Sequence, residues 1–330
     1  MLKDNYSTII FAIFIIFFLL SDYQLYEIIQ NESNMNITIT VKTVMIDHVN
    51  LYIFHPLTVI FVEYTRLLYI FPWITANHVS YMGVVFALIA ARLILSDSLA
   101  IRRIGVLAFF GRQFMDDLDG YIARCRLGID AKKQVSVTNS SGYIVDGICD
   151  AIGVIIFWYA AFRYAYHRQP IGAKSSNVLH THTTYTLLND EKSYDTIMMN
   201  NNHHQRFQTI KHYLLLLIQI GLSSLTWNLF LNQYHYTLDP SITDGFNVRT
   251  ELQEEIFKSS LMYTIAWFWR LLNPHSFTNY LLIAIWLNRT NQWVKQSNKY
   301  AFYLIIGLSF LCFIHLKDIK FRLTDHLTLF

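Results

Sequence analysis

Apolar residues run almost unbroken over 7–20, 77–95, 143–163, 212–231 and 299–316, and a further apolar run from about 104 leads up to Asp116. At 1.5 Å rise per residue, runs of about 20 residues match a hydrocarbon core of about 30 Å, so each predicts a membrane-crossing helix. The first run, 7–20, is short for a span. No small-residue cleavage pattern follows it, so it reads as an uncleaved anchor. Residues 51–71 mix Phe, Leu, Ile and Tyr with His55, Pro56, Glu63 and Arg66, which predicts a helix lying in the interface. Residues 258–290 are apolar but broken at Asn273-Pro274, so they form one kinked hairpin or two short spans, with Trp267, Trp269 and Tyr280 as candidate interface anchors.

Between these runs lie polar connections at 21–50, 125–141, 164–210 and 232–257. The pattern predicts an all-α polytopic membrane bundle of about six core transmembrane helices, plus an N-terminal anchor and an interfacial helix. Its divisions are an anchor over 1–22, a segment with the interfacial helix over 23–74, a membrane domain over 75–316 and a basic tail over 317–330. The total is seven or eight spans. Composition agrees, with 53% hydrophobic, 16% aromatic and only 15% charged residues in 330. A net charge of +3, scattered along the chain, excludes a nucleic-acid binder. Three cysteines make neither a disulfide framework nor a zinc spacing.

One stretch departs from the pattern. It reads Asp116-x-x-Asp119-Gly120-x-x-Ala123-Arg124, then 17 residues, then Gly142-x-x-x-Asp146-x-x-x-Asp150. On two helices this spacing gathers the carboxylates and small residues onto two faces. A lone i, i+4 aspartate pair is usually a solvated face. Here the fixed positions coincide beside membrane spans, where a carboxylate costs roughly 2.5–3.5 kcal/mol even on the lenient scale. Carboxylates 5 Å apart also repel by ~3 kcal/mol at an effective dielectric near 20. Either some are protonated or divalent metal neutralises them. Four hard oxygen donors suit magnesium or manganese, whereas zinc would bring Cys or His. Gly120 and Gly142 leave room for a ligand to approach the backbone, and Arg124 is an anion hook or holds an aspartate. His180, His182, His203 and His204, set among Asn, Thr and Ser, read as solvated loop.

All eight fixed positions resemble the signature of the CDP-alcohol phosphotransferases, with a spacer longer than the family's usual one. Within that family, Ser96 to Gly105, the inserted Asp117 and Gln219 to Tyr234 are most similar to the sphingolipid branch, the ceramide phosphoethanolamine synthases. The resemblance implies transfer of phosphoethanolamine from CDP-ethanolamine to the primary hydroxyl of ceramide. It implies two divalent ions, manganese favoured over magnesium, on Asp116, Asp119, Asp146 and Asp150, with Asp150 doubling as general base. Gly120, Ala123 and Gly142 would lie against the nucleotide, with Arg124 on a phosphate. Trp73 to Asn77 resembles the family's entry to its first core helix, which makes Asn77 either a nucleotide contact or a helix cap. Asp117 lies off the motif face and receives no role. A two-tailed acceptor calls for a lateral opening at the depth of the aspartates.

The motif reads only the shared diphosphate, so diacylglycerol as acceptor, or a CDP-bearing lipid, fits it equally. A divalent-ion transporter is the alternative from another class, although no internal inverted repeat is visible. Homodimerisation stays open. Glycosylation acceptors at Asn31 and Asn36, placed in the lumen, put Arg102-Arg103 in the cytosol and the motif with Asn139 in the lumen of the Golgi or endoplasmic reticulum. If the break at 273 makes two spans, Asn288 joins the lumenal side and the basic tail is cytosolic.

Overall fold

The computed structural model describes residues 2–31, 39–129, 131, 141–167, 190–239 and 250–328. Asn36, Asn139, Lys132, Lys133, His180 and His182 lie outside the described residues. In chain order the helices are α1 (Leu2–Asn31), α2 (Val41–Met45), a π-helical turn (Asn50–Phe54), α3 (His55–Thr65), α4 (Leu67–Ile70), α5 (Ala76–Ile94) and α6 (Leu99–Arg126). There follow α7 (Ser141–His167), α8 (Asp190–Leu238), α9 (Glu251–Lys258), α10 (Ser260–Leu272), α11 (Pro274–Trp286) and α12 (Thr290–Thr328). The all-α membrane architecture is as expected, with no strand among the described residues.

Among the described residues, five helices are long and apolar enough to cross a membrane: Ile9–Asn31, Ala76–Ile94, Ile144–His167, His204–Leu238 and Thr290–Thr324. Helix α6 has 28 residues, enough to cross, and misses that criterion because it carries the charged motif. Helices α10 and α11 have 13 residues each, about 20 Å apiece, and neither spans alone.

These two short helices cross once between them, and neither of the forms expected from sequence is adopted. The outer end of α10 lies by the C-terminal end of α1, where Gln30 Nε2 donates to Lys258 O at 2.7 Å. Helix α11 then runs antiparallel to α6, with Gln113 Nε2 2.8 Å from Asn279 Oδ1 and Arg103 Nε 3.2 Å from Trp286 O. At the break, buried Asn273 accepts from Ser276 N at 2.8 Å and caps α11, while Pro274 supplies its first turn. The carbonyls that Pro274 frees are all satisfied. Ser276 Oγ donates to Arg270 O, Tyr280 Oη to Leu271 O at 3.2 Å and Ser223 Oγ to Leu272 O at 2.5 Å. A broken helix inside a bilayer requires such partners.

Asn288 therefore lies at the end of the bundle remote from the motif, accepting from Arg102 Nη2 at 2.9 Å, whereas the two-span expectation put it on the same side of the membrane as the motif. Helix α12 returns along α8, with Tyr234 Oη 2.9 Å from His315 Nδ1 and Lys320 Nζ 2.8 Å from Gln233 Oε1. That course carries the basic tail toward the motif end. Helices α1, α5, α6, α7, α8, the α10–α11 pair and α12 thus run the length of the bundle.

Other expectations are corrected too. The first helix runs unbroken past residue 22 to Asn31. The expected interfacial helix is three pieces, divided by the π-helical turn and by Arg66 at φ 49°. Residues 232–238 continue α8, and α9 occupies part of the expected 232–257 loop. Trp269 is fully buried against Cys312 Sγ, Tyr280 bonds inside the bundle and Trp267 donates to Asp22, so none is a free interface anchor.

The anchor is locked to the core. Asp22 is buried and accepts from Arg270, from Tyr52 Oη at 2.7 Å and from Trp267 Nε1 at 2.8 Å, with His48 Nε2 also at 2.8 Å. A lone carboxylate in an apolar helix is tolerated here because four partners close round it.

Candidate active site

Helix α5 packs between α6 and α7, and all three converge where the aspartates stand. Thr75 caps α5, accepting from His78 N at 3.4 Å, so Asn77 is not the cap. Asn77 lies three residues before Ser80, on the same face of α5. Close contact of α5 with α6 requires Gly105, since a Cβ there would stand 3.1 Å from Ala90 O. Below the site, Phe109 of α6 and Phe157 of α7 are fully buried, with ring centroids 4.1 Å apart.

Carboxylate oxygens of Asp116, Asp119 and Asp146 all lie within 4.8 Å of one another. Ser80 Oγ donates to Asp119 Oδ2 at 2.6 Å, fixing that side chain from α5. Asp146 Oδ1 is buried without a hydrogen-bond partner among the described residues. Three hard donors converging, one with a bare buried oxygen, fit a divalent magnesium- or manganese-type cation. No Cys or His joins this cluster among the described residues. Cys149, next to Asp150, is buried and free.

Asp150 stands outside that triangle, with its side chain within reach of Asp116. It is held by Arg112, whose Nη2 donates to Asp150 Oδ1 at 2.5 Å while Nη1 lies 4.0 Å from Asp116 Oδ2. Sequence reasoning missed Arg112, although its i, i+4 spacing to Asp116 was a legible signal. Gly153 on α7 makes room for it, because a Cβ there would meet Arg112 Nε at 3.1 Å.

The motif arginine holds no aspartate by a hydrogen bond among the described residues. Arg124 is buried, its Nε donates to Ala131 O at 3.1 Å, and its Nη2 has no hydrogen-bond partner among the described residues. Gly120 lies beneath it, where a Cβ would stand 3.3 Å from Arg124 Nη1. Gly120 therefore gives room to this guanidinium in the first place. Ala123 and Gly142 are half-buried on the α6 and α7 motif segments.

Two further groups were not foreseen. Lys42 of α2 sits in the field of Arg124, Asp116, Asp117 and Asp146. Burial, and then the Arg124 guanidinium, lower its ammonium below the ordinary lysine value. Asp117 faces His55, with Oδ2 and Nδ1 3.6 Å apart. Both Lys42 and His55 come from the segment before α5, where no spacing links them to the motif. His204 is exposed on α8 and belongs to no metal-type cluster among the described residues.

A family model described as ceramide phosphoethanolamine synthase matches residues 20–323. The Drosophila melanogaster protein named ceramide phosphoethanolamine synthase is 31% identical over 272 residues, covering 81% of this chain. The chain spans 65% of that relative's length. No solved structure matches. On the extent of the family match, which includes the C-terminal end of α1, the π-helical turn and both halves of the aspartate motif, this chain belongs to the ceramide phosphoethanolamine synthase family.

Proposed function

We propose that the chain transfers phosphoethanolamine from CDP-ethanolamine to the primary hydroxyl of ceramide, releasing CMP, at the Asp116–Asp119–Asp146 cluster. The observation that carries this reading is the convergence of those three carboxylates between α5, α6 and α7, with a fourth held beside them by Arg112. Asp116, Asp119 and Asp146 hold the divalent ions, and Asp150 is shared between that duty and proton abstraction. When bound, the ions supply positive charge to the donor's pyrophosphate and to the departing CMP.

The chain's own groups do the rest. Arg124 and Lys42 provide positive charge for the donor's phosphates on one flank, and Asn77 lies on the α5 face beside them. Asp150 accepts the proton of the ceramide hydroxyl as the new O–P bond forms and the bond to CMP breaks. Arg112 keeps Asp150 aimed by a charge-assisted bond. The lumenal face of the Golgi is the proposed side, supported by Asn31 lying at the motif end of α1 and Arg102 at the opposite end of α6.

The test is to incubate the full purified chain with manganese, each CDP-alcohol, and ceramide or diacylglycerol, and to identify the lipid product. Ceramide phosphoethanolamine should form, stop on chelation and return with manganese. A glycerolipid product would move the acceptor assignment, and cation flux without CDP-alcohol consumption would replace the enzyme reading. Arg112→Lys, which keeps the charge but loses the two-pronged geometry, should lower kcat about 10²-fold with KM for CDP-ethanolamine little changed. An unchanged kcat would remove Arg112 from the positioning role.

A further inference from the structure

Helix α6 carries a second functional face. Val106, Phe110, Gln113 and Asp117 recur at spacings of four, three and four, which puts them in one stripe. Asp116 and Asp119 serve the cluster shared with α5 and α7, whereas this stripe meets α1, the π-helical turn and α11. Its lower half forms an apolar cavity of about 360 Å³ lined by Phe14 and Phe18 of α1, Phe54 of the π-helical turn, Val106 and Phe110 of α6 and Trp286 of α11, among others.

Both walls of this cavity run directly into the aspartate site. The residue after Phe54 is His55, which faces Asp117. Phe110 precedes Asp116 by six residues, about 9 Å along α6. A polar layer lies between groove and carboxylates, and its hydrogen bonds have a fixed direction. Asp47 Oδ1 accepts from Asn279 Nδ2 at 3.2 Å, so Asn279 Oδ1 is left to accept from Gln113 Nε2 at 2.8 Å. That order leaves Gln113 Oε1 as the terminal acceptor. Gln113 is 1% exposed, and Oε1 has no hydrogen-bond partner among the described residues. One turn further on, buried Asp117 Oδ2 also accepts no hydrogen bond among the described residues.

We propose that this stripe is the acceptor-lipid site: one alkyl chain of the acceptor lies in the α1–α6–α11 groove, and Gln113 with Asp117 receives hydrogen bonds from the donor groups next to that chain. The ligand class is a sphingoid lipid. Its amide N–H and secondary hydroxyl are donors, whereas the two esters of a diacylglycerol offer only acceptors. Buried acceptors left without donors discriminate strongly against an analogue that cannot supply them. The inference rests on the headgroup-transfer reading for its purpose, and it assigns the choice of acceptor to residues outside the aspartate motif.

Two measurements on the full chain test it. In vesicles, a ceramide carrying a photoreactive diazirine near the end of its chain should label α1 between residues 10 and 18, and unlabelled ceramide should displace it better than diacylglycerol does. Labelling elsewhere, or equal displacement by diacylglycerol or phosphatidylcholine, would show ordinary bilayer lipid in the groove and overturn the assignment. In turnover, Gln113→Leu should lower the preference for ceramide over diacylglycerol at least about tenfold within one preparation, with KM for CDP-ethanolamine unchanged. An unaltered preference overturns the role of Gln113. Should that variant not fold, Phe110→Trp, which fills the groove, must reduce the labelling. If no CDP-alcohol is consumed by the native chain, the headgroup-transfer reading fails by itself, and the labelling still decides the groove.

Discussion

Asp146→Ala is expected to lower headgroup transfer by about 10²–10³-fold while the protein remains folded and inserted in the membrane. The magnitude follows from the electrostatic character of phosphoryl transfer, in which one lost charge-positioning group typically costs 10²–10³-fold. Asp146 is the best-isolated test among the aspartates. Asp119 is also tied to Ser80, and Asp150 to Arg112, so their loss would leave those partners stranded. Asp146 Oδ1 has no donor to strand among the described residues. The substitution also removes one of several crowded negative charges, so the empty protein should melt no lower than the native one. Melting of the purified protein and product formation from CDP-ethanolamine and ceramide are the two readouts. Turnover within about tenfold of native would take Asp146 out of the metal-holding set.

A second large effect is expected far from the aspartate cluster. Asp22→Leu leaves Arg270, only 1% exposed at its side chain, without its carboxylate, and takes a shared acceptor from Tyr52 and Trp267. Breaking a buried pair by removing one partner costs about 3–5 kcal/mol. For a chain of this size that is a fall in melting temperature on the order of 10 °C. The double variant Asp22→Leu, Arg270→Leu should recover part of the loss, because no uncompensated charge remains. A single variant that melts within about 2 °C of native would show that α1 is held by apolar contact alone.

The aspartate motif and the helical class were legible in sequence because both are periodic signals. Asp116 and Asp119 on one helix, and Gly142, Asp146 and Asp150 on the next, recur at helical spacing, and the apolar runs have membrane-crossing length. The structure brings Asp116, Asp119 and Asp146 together, and it places Asp150 beside them on Arg112. What could not be read is whatever depends on helices far apart in the chain. Lys42, His55 and Asp47 come near α6 only through the packing of α2 and the π-helical turn, and no spacing encodes that approach. The α10–α11 crossing was ambiguous for a local reason. Pro274 announces a break but not whether the chain turns back. The side chains that decide it, Ser223, Ser276 and Tyr280, are recognisable only once the carbonyls they satisfy are known. Asp117 looked idle because it is off the motif face, and that displacement is what places it at the head of the groove.

The tie between Asp22 and Arg270 joins residues 248 positions apart. During biosynthesis α1 therefore leaves the ribosome and enters the bilayer long before its counter-charge has been translated. A lone carboxylate at that depth costs roughly 2.5–3.5 kcal/mol even by the permissive scale, enough to make early insertion reversible. Relief arrives in two instalments. His48 and Tyr52 follow only 26 and 30 residues later and can engage Asp22 at once, whereas Arg270 closes the junction when most of the chain has been made. Helix α1 is thus made well before it is fixed, and the wall it gives the α1–α6–α11 groove is completed only once Arg270 has been translated.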